Sequence, residues 1–493
     1  MRHPEKAAIP PFHRPRSPTA GPAVIALGSA LATGCHRMGS DSGPEVVERG
    51  WGRAHTVVII TLDALNADML HGGPEHWDTA PRMMALLDES TVYRRGQSPR
   101  SITAPALASM LTGSYPAHHC LRGNVGQAES WKGLARTTLL ERFQAAGYRT
   151  LGYSANQCYL LDAGTDQRTC TWDGELEGDY SLRRRDELLV EQLDVALREL
   201  ARDDDIFLWL HLDNPHMPYE GNPAYYRQFH PTTYEGTLQP HSDASLTAVT
   251  LGERDYDEED RLHLLATYAS QIRESDDRVG RVLDALVDIG RYDDAVIVLG
   301  ADHGEEIGYH HRYFWHGCSF YRSGIEVTWA FHAPGRLPAG WYETPISTVD
   351  IAPTLVDLAD GFEWNGPMDG RSLVDQALAE RAADEPVYVE RGSATAGVVW
   401  QGYRYMLSGE AGYHNCEPYT DTDESAYPNQ QVELYDLEAD DDESHNLAGT
   451  GRAEEDDLEE MTCRWMLGSG WLTGFDHPDA SLLDHCRERF GVE

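Results

Sequence analysis

Three stretches of the chain end in side chains that are costly to bury. Asp63 follows TVVIITL, His211 and Asp213 follow IFLWL, and Asp302 and His303 follow AVIVLGA. Carboxylates set directly after apolar runs are poorly solvated, and a bound cation is one of the few partners that compensates for gathering them. Two aspartates and a histidine make a mixed oxygen and nitrogen donor set. It suits zinc, manganese, calcium or magnesium, with the imidazole favouring the first two. Taken singly, each residue is more often a cap or a satisfied buried polar group. A hydroxyl joins this set from QSPRSITAPALASMLTGSYPAHH, where Thr103 stands two residues ahead of Pro105 and Thr112 and Gly113 close the segment. That is the layout of a residue held at a helix entrance.

The elements that must position these groups alternate. TVVIITLD is a buried strand by its β-branched content, and APRMMALLDES has helical spacing with Asp78 and Thr79 as candidate caps. TTLLERFQAAGYRTLGYSAN reads as a helix closed by Gly147 and then a strand. DELLVEQLDVALREL precedes the strand IFLWLHLD, and RLHLLATYASQIRESDDRVGRVLDALVDIG precedes the strand in DAVIVLGADHGEE. Alternating β and α units imply a mainly parallel sheet covered on both faces, whose ligands gather at the carboxyl ends of its strands. Texture changes near 361–372. Beyond it VYVERG, AGVVWQGYRYML and VELYDLE read as antiparallel strands, followed by a helical stretch from 453.

At 493 residues the chain is long enough for one large domain and a smaller one. Its formal net charge of -41 repels nucleic acid and anionic membrane surfaces, so neither is an expected partner. Near the N-terminus the basic stretch RHPEKAAIPPFHRPR precedes the apolar run AVIALGSALATG, which is too short to span a bilayer and ends in small residues before Cys35, as an export signal does. LATGC resembles a bacterial lipoprotein signal, so the expected location is the cell envelope or periplasm with a lipid on Cys35. The remaining cysteines show no CxxC spacing, and Cys158 and Cys170 are close enough to close a local loop.

Taken together, VVIITLDALNADML, TAPALASMLTGSYPAHH, HLDNPHMPY, VIVLGADHGEEIGYHH, STVDIAPTLVDLADG with MDGRSLV, and ELYDLEADDDESHNLAG resemble, in this order, the motifs of the sulfatases and their relatives in the alkaline phosphatase superfamily. The resemblance implies an α/β fold, an alkaline-phosphatase-like three-layer sandwich with a mainly parallel sheet plus a smaller C-terminal α+β domain. The expected organisation is a signal over 1–35, a linker over 36–53, the sulfatase-like catalytic domain over 54–385 and the C-terminal subdomain over 386–493. Carried over by residue, the resemblance makes Asp63, Asp302 and His303 metal ligands, and Thr103 falls on the nucleophile. Its helix N-terminus is expected to aim free N–H groups and the positive dipole end at a substrate anion. His216 falls where the family protonates or holds the leaving oxygen, His310 and His316 where it contacts the transferred group, and His211 is a further candidate from its strand end.

Departures from the family pattern select the chemistry. Sulfatases carry a cysteine or serine, oxidised to formylglycine, in Cys-x-Pro-Ser-Arg, whereas this chain has Thr103, Ala106 and Leu107. Threonine cannot yield an aldehyde, and a sulfated threonine lacks the exit that the aldehyde hydrate provides, so no formylglycine is expected. Phosphothreonine can be hydrolysed at phosphorus, and relatives acting on phosphate esters use an unmodified threonine here. The only lysines are Lys6 and Lys132, neither in a matching motif; Asn66 replaces the usual arginine and Ala64 a common second metal aspartate. The expectation is therefore one divalent metal ion (Mn, Zn, Ca or Mg) and hydrolysis of phosphate mono- or diesters, or phosphoryl transfer. The substrate would be a small-molecule or a glycan- or lipid-linked anionic ester. A sulfuric ester hydrolase and a non-catalytic binding protein on the same fold are the alternatives.

Overall fold

The computed structural model describes residues 49–124, 134–162, 164–171, 182–200, 204–308, 314–317, 320–359, 366–379, 385–391, 395–409, 431–471 and 481–491. Cys35, His310, the expected signal and residues 36–48 of the expected linker lie outside the described residues.

A nine-stranded sheet forms the centre. Its strands are β1 (Thr56–Leu62), β2 (Thr91–Gln97), β3 (Arg149–Ser154), β4 (Gln167–Cys170), β5 (Ile206–Leu212), β6 (Val296–Ala301), β9 (Glu326–His332), β10 (Gly340–Tyr342) and β11 (Ile346–Ser347); β7 (Glu306–Ile307) and β8 (Phe314–Trp315) pair separately. The order is β10-β2-β9-β6-β1-β5-β3-β4, with β11 also on β2. β1 runs parallel to both β5 and β6, in a register that sets Leu62 beside Leu212 and Ala301. β9 is antiparallel to β2 and β6, so the sheet is mostly, not wholly, parallel. Every residue of β1, β5 and β6 is buried, which requires cover on both faces and explains their unbroken apolar sequence.

Two groups of helices supply that cover. Pro81–Asp88, Leu182–Arg198 and Pro223–Phe229 pack on the long helix Glu258–Asp288, while Thr103–Thr112 packs with Leu139–Ala145 and Ile351–Ala359. The helix at Pro81 departs from expectation. Its N-cap is Ala80 with no side-chain cap, because the Thr79 hydroxyl donates instead to the carbonyls of Met69 (2.7 Å) and Leu70 (3.2 Å). No helix among the described residues is long and apolar enough to cross a membrane.

The second sheet is antiparallel, β12 (Val387–Arg391), β13 (Thr395–Trp400), β14 (Tyr403–Ser408) and β15 (Val432–Asp436) in sequence order. One face meets Phe320, Tyr321 and Ile325 of the larger unit through Val387, Val389, Val399 and Met406. The other is covered by the helices Ala453–Gly468 and Ser481–Phe490, which a Cys463–Cys486 disulfide joins. A second disulfide joins Cys158 to Cys170, the local loop that the sequence suggests.

Candidate active site

Adjacent parallel strands deliver the site. Asn156, Asp213, Asp63 and Asp302 each follow the carboxyl end of β3, β5, β1 or β6, which are neighbours in the sheet in that order. The Asp63 N–H continues the ladder to Leu212 O at 2.9 Å. Ala64 then turns sharply with φ 57°, a left-handed conformation in a residue with a Cβ, and its N–H donates to Asp302 Oδ1 at 3.0 Å. The Tyr268 hydroxyl holds the same turn by donating to Ala64 O at 2.5 Å.

The donor set is arranged so that one atom of each ligand remains open. Asp302 Oδ1 accepts the N–H groups of Ala64 and His303 (2.8 Å), leaving Oδ2 buried and unpartnered, and Asp63 Oδ1 is likewise buried and unpartnered. His303 Nδ1–H donates to Gly304 O at 2.8 Å, which puts the ring's lone pair on Nε2. Nε2 lies 3.6 Å from Asp63 Oδ1 and 3.4 Å from Asp302 Oδ2, and the three residues' ligand atoms all fall within 4.8 Å of one another. Among the described residues this is the one such group of three. Orphaned carboxylate oxygens facing an imidazole lone pair fit a divalent cation, which would offset their burial.

Thr103 borders this set. Its Oγ1 is 3.4 Å from Asp63 Oδ2 and 3.5 Å from His303 Nε2. Its helix entrance is less open than expected. The Ala104 N–H donates to Asn124 Oδ1 at 2.8 Å, Pro105 has no N–H, and the Ala106 N–H reaches Ile102 O at 3.3 Å. Among the described residues no acceptor takes the Thr103 N–H, so the first turn offers one donor rather than several.

The histidines divide. The His216, His303 and His316 rings converge, with centroids 4.8 Å apart for His216–His316 and 4.4 Å for His303–His316. His216 Nδ1 bonds Met217 O, and His316 Nδ1 bonds Glu305 Oε1 at 2.9 Å. His211 is fully buried, with Nδ1 2.9 Å from Thr61 Oγ1 and Nε2 unpartnered, 3.6 Å from Asp63 Oδ2.

Electrostatics follow from burying so many charges together. Burial, reinforced by Asp63, holds the Asp302 carboxyl well above its ordinary range. For Asp63 burial pushes the same way but is outweighed by His216, His211 and His303, so its pKa falls. Burial is also the largest influence on His216, yet the carboxylates of Asp63, Asp213 and Glu305 overcome it and raise its pKa. Burial lowers His303 and His316 to about 3 and raises Glu305 to about 8.

Two groups escaped the sequence reading. Asn156 donates to Asp63 Oδ2 at 2.5 Å and to Asp213 Oδ1 at 2.8 Å, bridging two carboxylates that would otherwise repel. Its signal was present, a polar residue two positions after the strand LGYS. Glu305, fully buried, anchors His316; a second carboxylate in DHGEE hinted at it. Arg185 meets the outer oxygen of Asp213 at 3.4 Å.

The sequence model of the Sulfatase family matches residues 55–362. Choline-sulfatase from Rhizobium meliloti (strain 1021) is 26% identical over 473 residues, spanning 85% of this chain and 88% of that protein. Among solved structures, the phosphonate monoester hydrolase of Agrobacterium radiobacter superposes with a TM-score of 0.63 at 19% identity, covering 84% of this chain and 95% of that one. A structure in complex with its substrate D-glucosamine-2-N,6-O-disulfate gives 0.63 at 17% identity over 85% and 98% of the two chains. At these identities the structural likeness speaks to the fold.

Proposed function

Because the chain belongs to the sulfatase family, we propose that it is a metal-dependent hydrolase of anionic esters that uses Thr103 as its nucleophile and prefers phosphate mono- or diesters. The observation that carries this reading is the unmodified Thr103 hydroxyl at a helix entrance, 3.4 Å from Asp63 Oδ2 and beside the Asp63, Asp302 and His303 donor set.

Asp63 divides its work between two oxygens. Oδ1 faces the cation position, while Oδ2 is held by Asn156 and lies where it orients the Thr103 O–H. A divalent cation held by Asp63, Asp302 and His303 would supply positive charge to the ester oxygens and lower the pKa of the nearby hydroxyl. Thr103 Oγ1 attacks phosphorus as its proton passes to Asp63 Oδ2, the Thr103 N–H faces the developing negative charge, and His216, raised by its surrounding carboxylates, gives its proton to the leaving oxygen. Water then attacks phosphorus, returning a proton to His216, to release phosphate from a monoester or a phosphate monoester from a diester, and Thr103 regains its proton from Asp63. An alcohol acceptor in place of water would make the same site a transferase. His316 is held by Glu305 next to both rings and is suited to contact the transferred group's oxygens.

Sulfate esters are the second reading, favoured by the choline-sulfatase relative. The argument against them is chemical: a threonine sulfate has no carbonyl-forming exit. We further infer an oxidising working compartment, consistent with the Cys158–Cys170 and Cys463–Cys486 disulfides.

The test is turnover of matched aryl phosphate, phosphodiester and sulfate substrates by protein loaded with manganese, zinc or calcium, beside Thr103→Ala. Phosphate-ester turnover lost in the variant is the expected result. Thr103-dependent sulfate turnover would overturn the phosphate preference, and metal binding without any turnover would favour a binding protein.

A further inference from the structure

The helix that begins at Thr103 lacks a capping side chain of its own, since its N-cap residue is Ile102. The cap arrives from another part of the chain. Asn124 Oδ1 accepts the N–H of Ala104, the residue bonded directly to Thr103. What holds the segment carrying Asn124 is a buried ionic clasp reaching across from the second sheet. Arg122 Nη1 donates to Glu390 Oε1 at 3.0 Å, with side-chain exposures of 9% and 1%. Arg100, three residues before Thr103, donates to Glu390 O at 3.0 Å and to Arg122 O at 3.1 Å. The Glu390 N–H in turn donates to Pro99 O at 3.0 Å.

Glu390 therefore grips both segments that flank Thr103, 99–100 before it and 122–124 after it, from a strand outside the sheet that carries the metal donors. We propose that Glu390 is a positioning residue for Thr103, fixing the entrance of its helix through Arg122 and Asn124. A buried ion pair of this kind is poorly explained by stability, because its desolvation cost offsets much of its attraction and an apolar replacement packs as well. What the clasp supplies is direction: Arg122 meets the Glu390 carboxylate while Arg100 bonds both the Glu390 and the Arg122 carbonyls, so the 122–124 turn is tied at two points. The consequence is that the antiparallel sheet contributes to the reaction although none of its side chains belongs to the donor set.

This inference rests on Thr103 being the nucleophile, and its test separates the two ideas. Glu390→Gln keeps the side chain's size and removes its charge, while Asn124→Ala removes an exposed side chain and leaves the Ala104 N–H without its acceptor. A misplacement near 1 Å costs on the order of a hundredfold in rate. Both variants should therefore lower kcat about tenfold or more with KM within about threefold, and the double variant should be no slower than Asn124→Ala alone. Hydrogen–deuterium exchange of the peptide containing Ala104 should quicken in both. Unchanged kcat in Asn124→Ala, losses that multiply in the double variant, or unchanged exchange at Ala104 in Glu390→Gln would each overturn the proposal. Should Glu390→Gln not fold, Asn124→Ala alone decides. If the wild-type protein shows no Thr103-dependent turnover, the nucleophile reading fails, and the exchange measurement still decides whether Glu390 governs the helix entrance.

Discussion

Replacing Asp302 with asparagine changes a single atom of the donor set and leaves the local backbone its partners. The amide oxygen can still accept the N–H groups of Ala64 and His303, as Asp302 Oδ1 does. The amide nitrogen would take the place of Oδ2, which has no protein partner and lies 3.4 Å from the lone pair on His303 Nε2. In metal-free protein the substitution should therefore cost nothing, because Asp302 already sits in a place that disfavours its charge through burial and the neighbouring Asp63. The metal-bound state should behave oppositely. A cation present at a hundred times its dissociation constant adds about 2.7 kcal/mol. With an unfolding entropy near 2.1 cal/mol/K per residue, a chain of 493 residues converts that to a Tm rise of about 3 °C. Differential scanning calorimetry of chelator-treated protein, with manganese or zinc added back, should show this rise in the wild type. In Asp302→Asn at the same metal concentration it should be under about 1 °C, with a starting Tm equal to or above that of the wild type. Isothermal titration calorimetry gives the affinity directly. A variant that keeps the wild-type metal shift would place the ion elsewhere. One that starts several degrees lower without metal would mean that Oδ2 has a structural partner, and the reasoning from orphaned oxygens would fall.

Two further outcomes follow from groups away from the donor set. Burial, with Arg94 and Arg322 adding to it, lowers His71 to about 4. Between its ordinary value near 6.5 and that point the unfolded chain binds the proton and the folded one does not, so stability should fall as pH drops through this window, by on the order of 3 kcal/mol. His71→Gln, which can still bond Thr328 Oγ1, should flatten the profile of Tm between pH 4 and 6.5; an unaltered slope would assign the loss to other groups. Gly113 ends the Thr103 helix at φ 65°, and a Cβ there would come 2.7 Å from Met368 Sδ. Gly113→Ala should lower stability by about 1–2 kcal/mol in urea denaturation, the cost of a left-handed residue with a side chain, and a neutral result would show that the cap relaxes freely.

Much of the catalytic half was legible because its signals are local. A fully buried parallel strand must be apolar throughout, and its carboxyl end is where a polar group can meet a ligand, so β1, β5 and β6 and their terminal residues Asp63, Asp213, Asp302 and His303 could be read directly. The alternation of strand and helix carried the fold class for the same reason. The strands β2, β4, β9, β10 and β11 were not read: β2 mixes arginines with apolar residues, and β4, β10 and β11 are four, three and two residues long, too short for a period to show. Only the register of β3, β5 and β1 brings Asn156 between Asp63 and Asp213, and only the tertiary structure brings Glu305 to His316. Thr79 looked like a cap and serves the carbonyls of Met69 and Leu70 instead, while the helix that matters is capped by Asn124, twenty positions away. Donor types and strand ends are written in the sequence because burial acts on each residue where it stands. Partners across the sheet, and Glu390 reaching from a second sheet to the entrance of the Thr103 helix, were decided by tertiary structure, because a hydrogen bond depends on where two distant segments are brought and no local pattern encodes that.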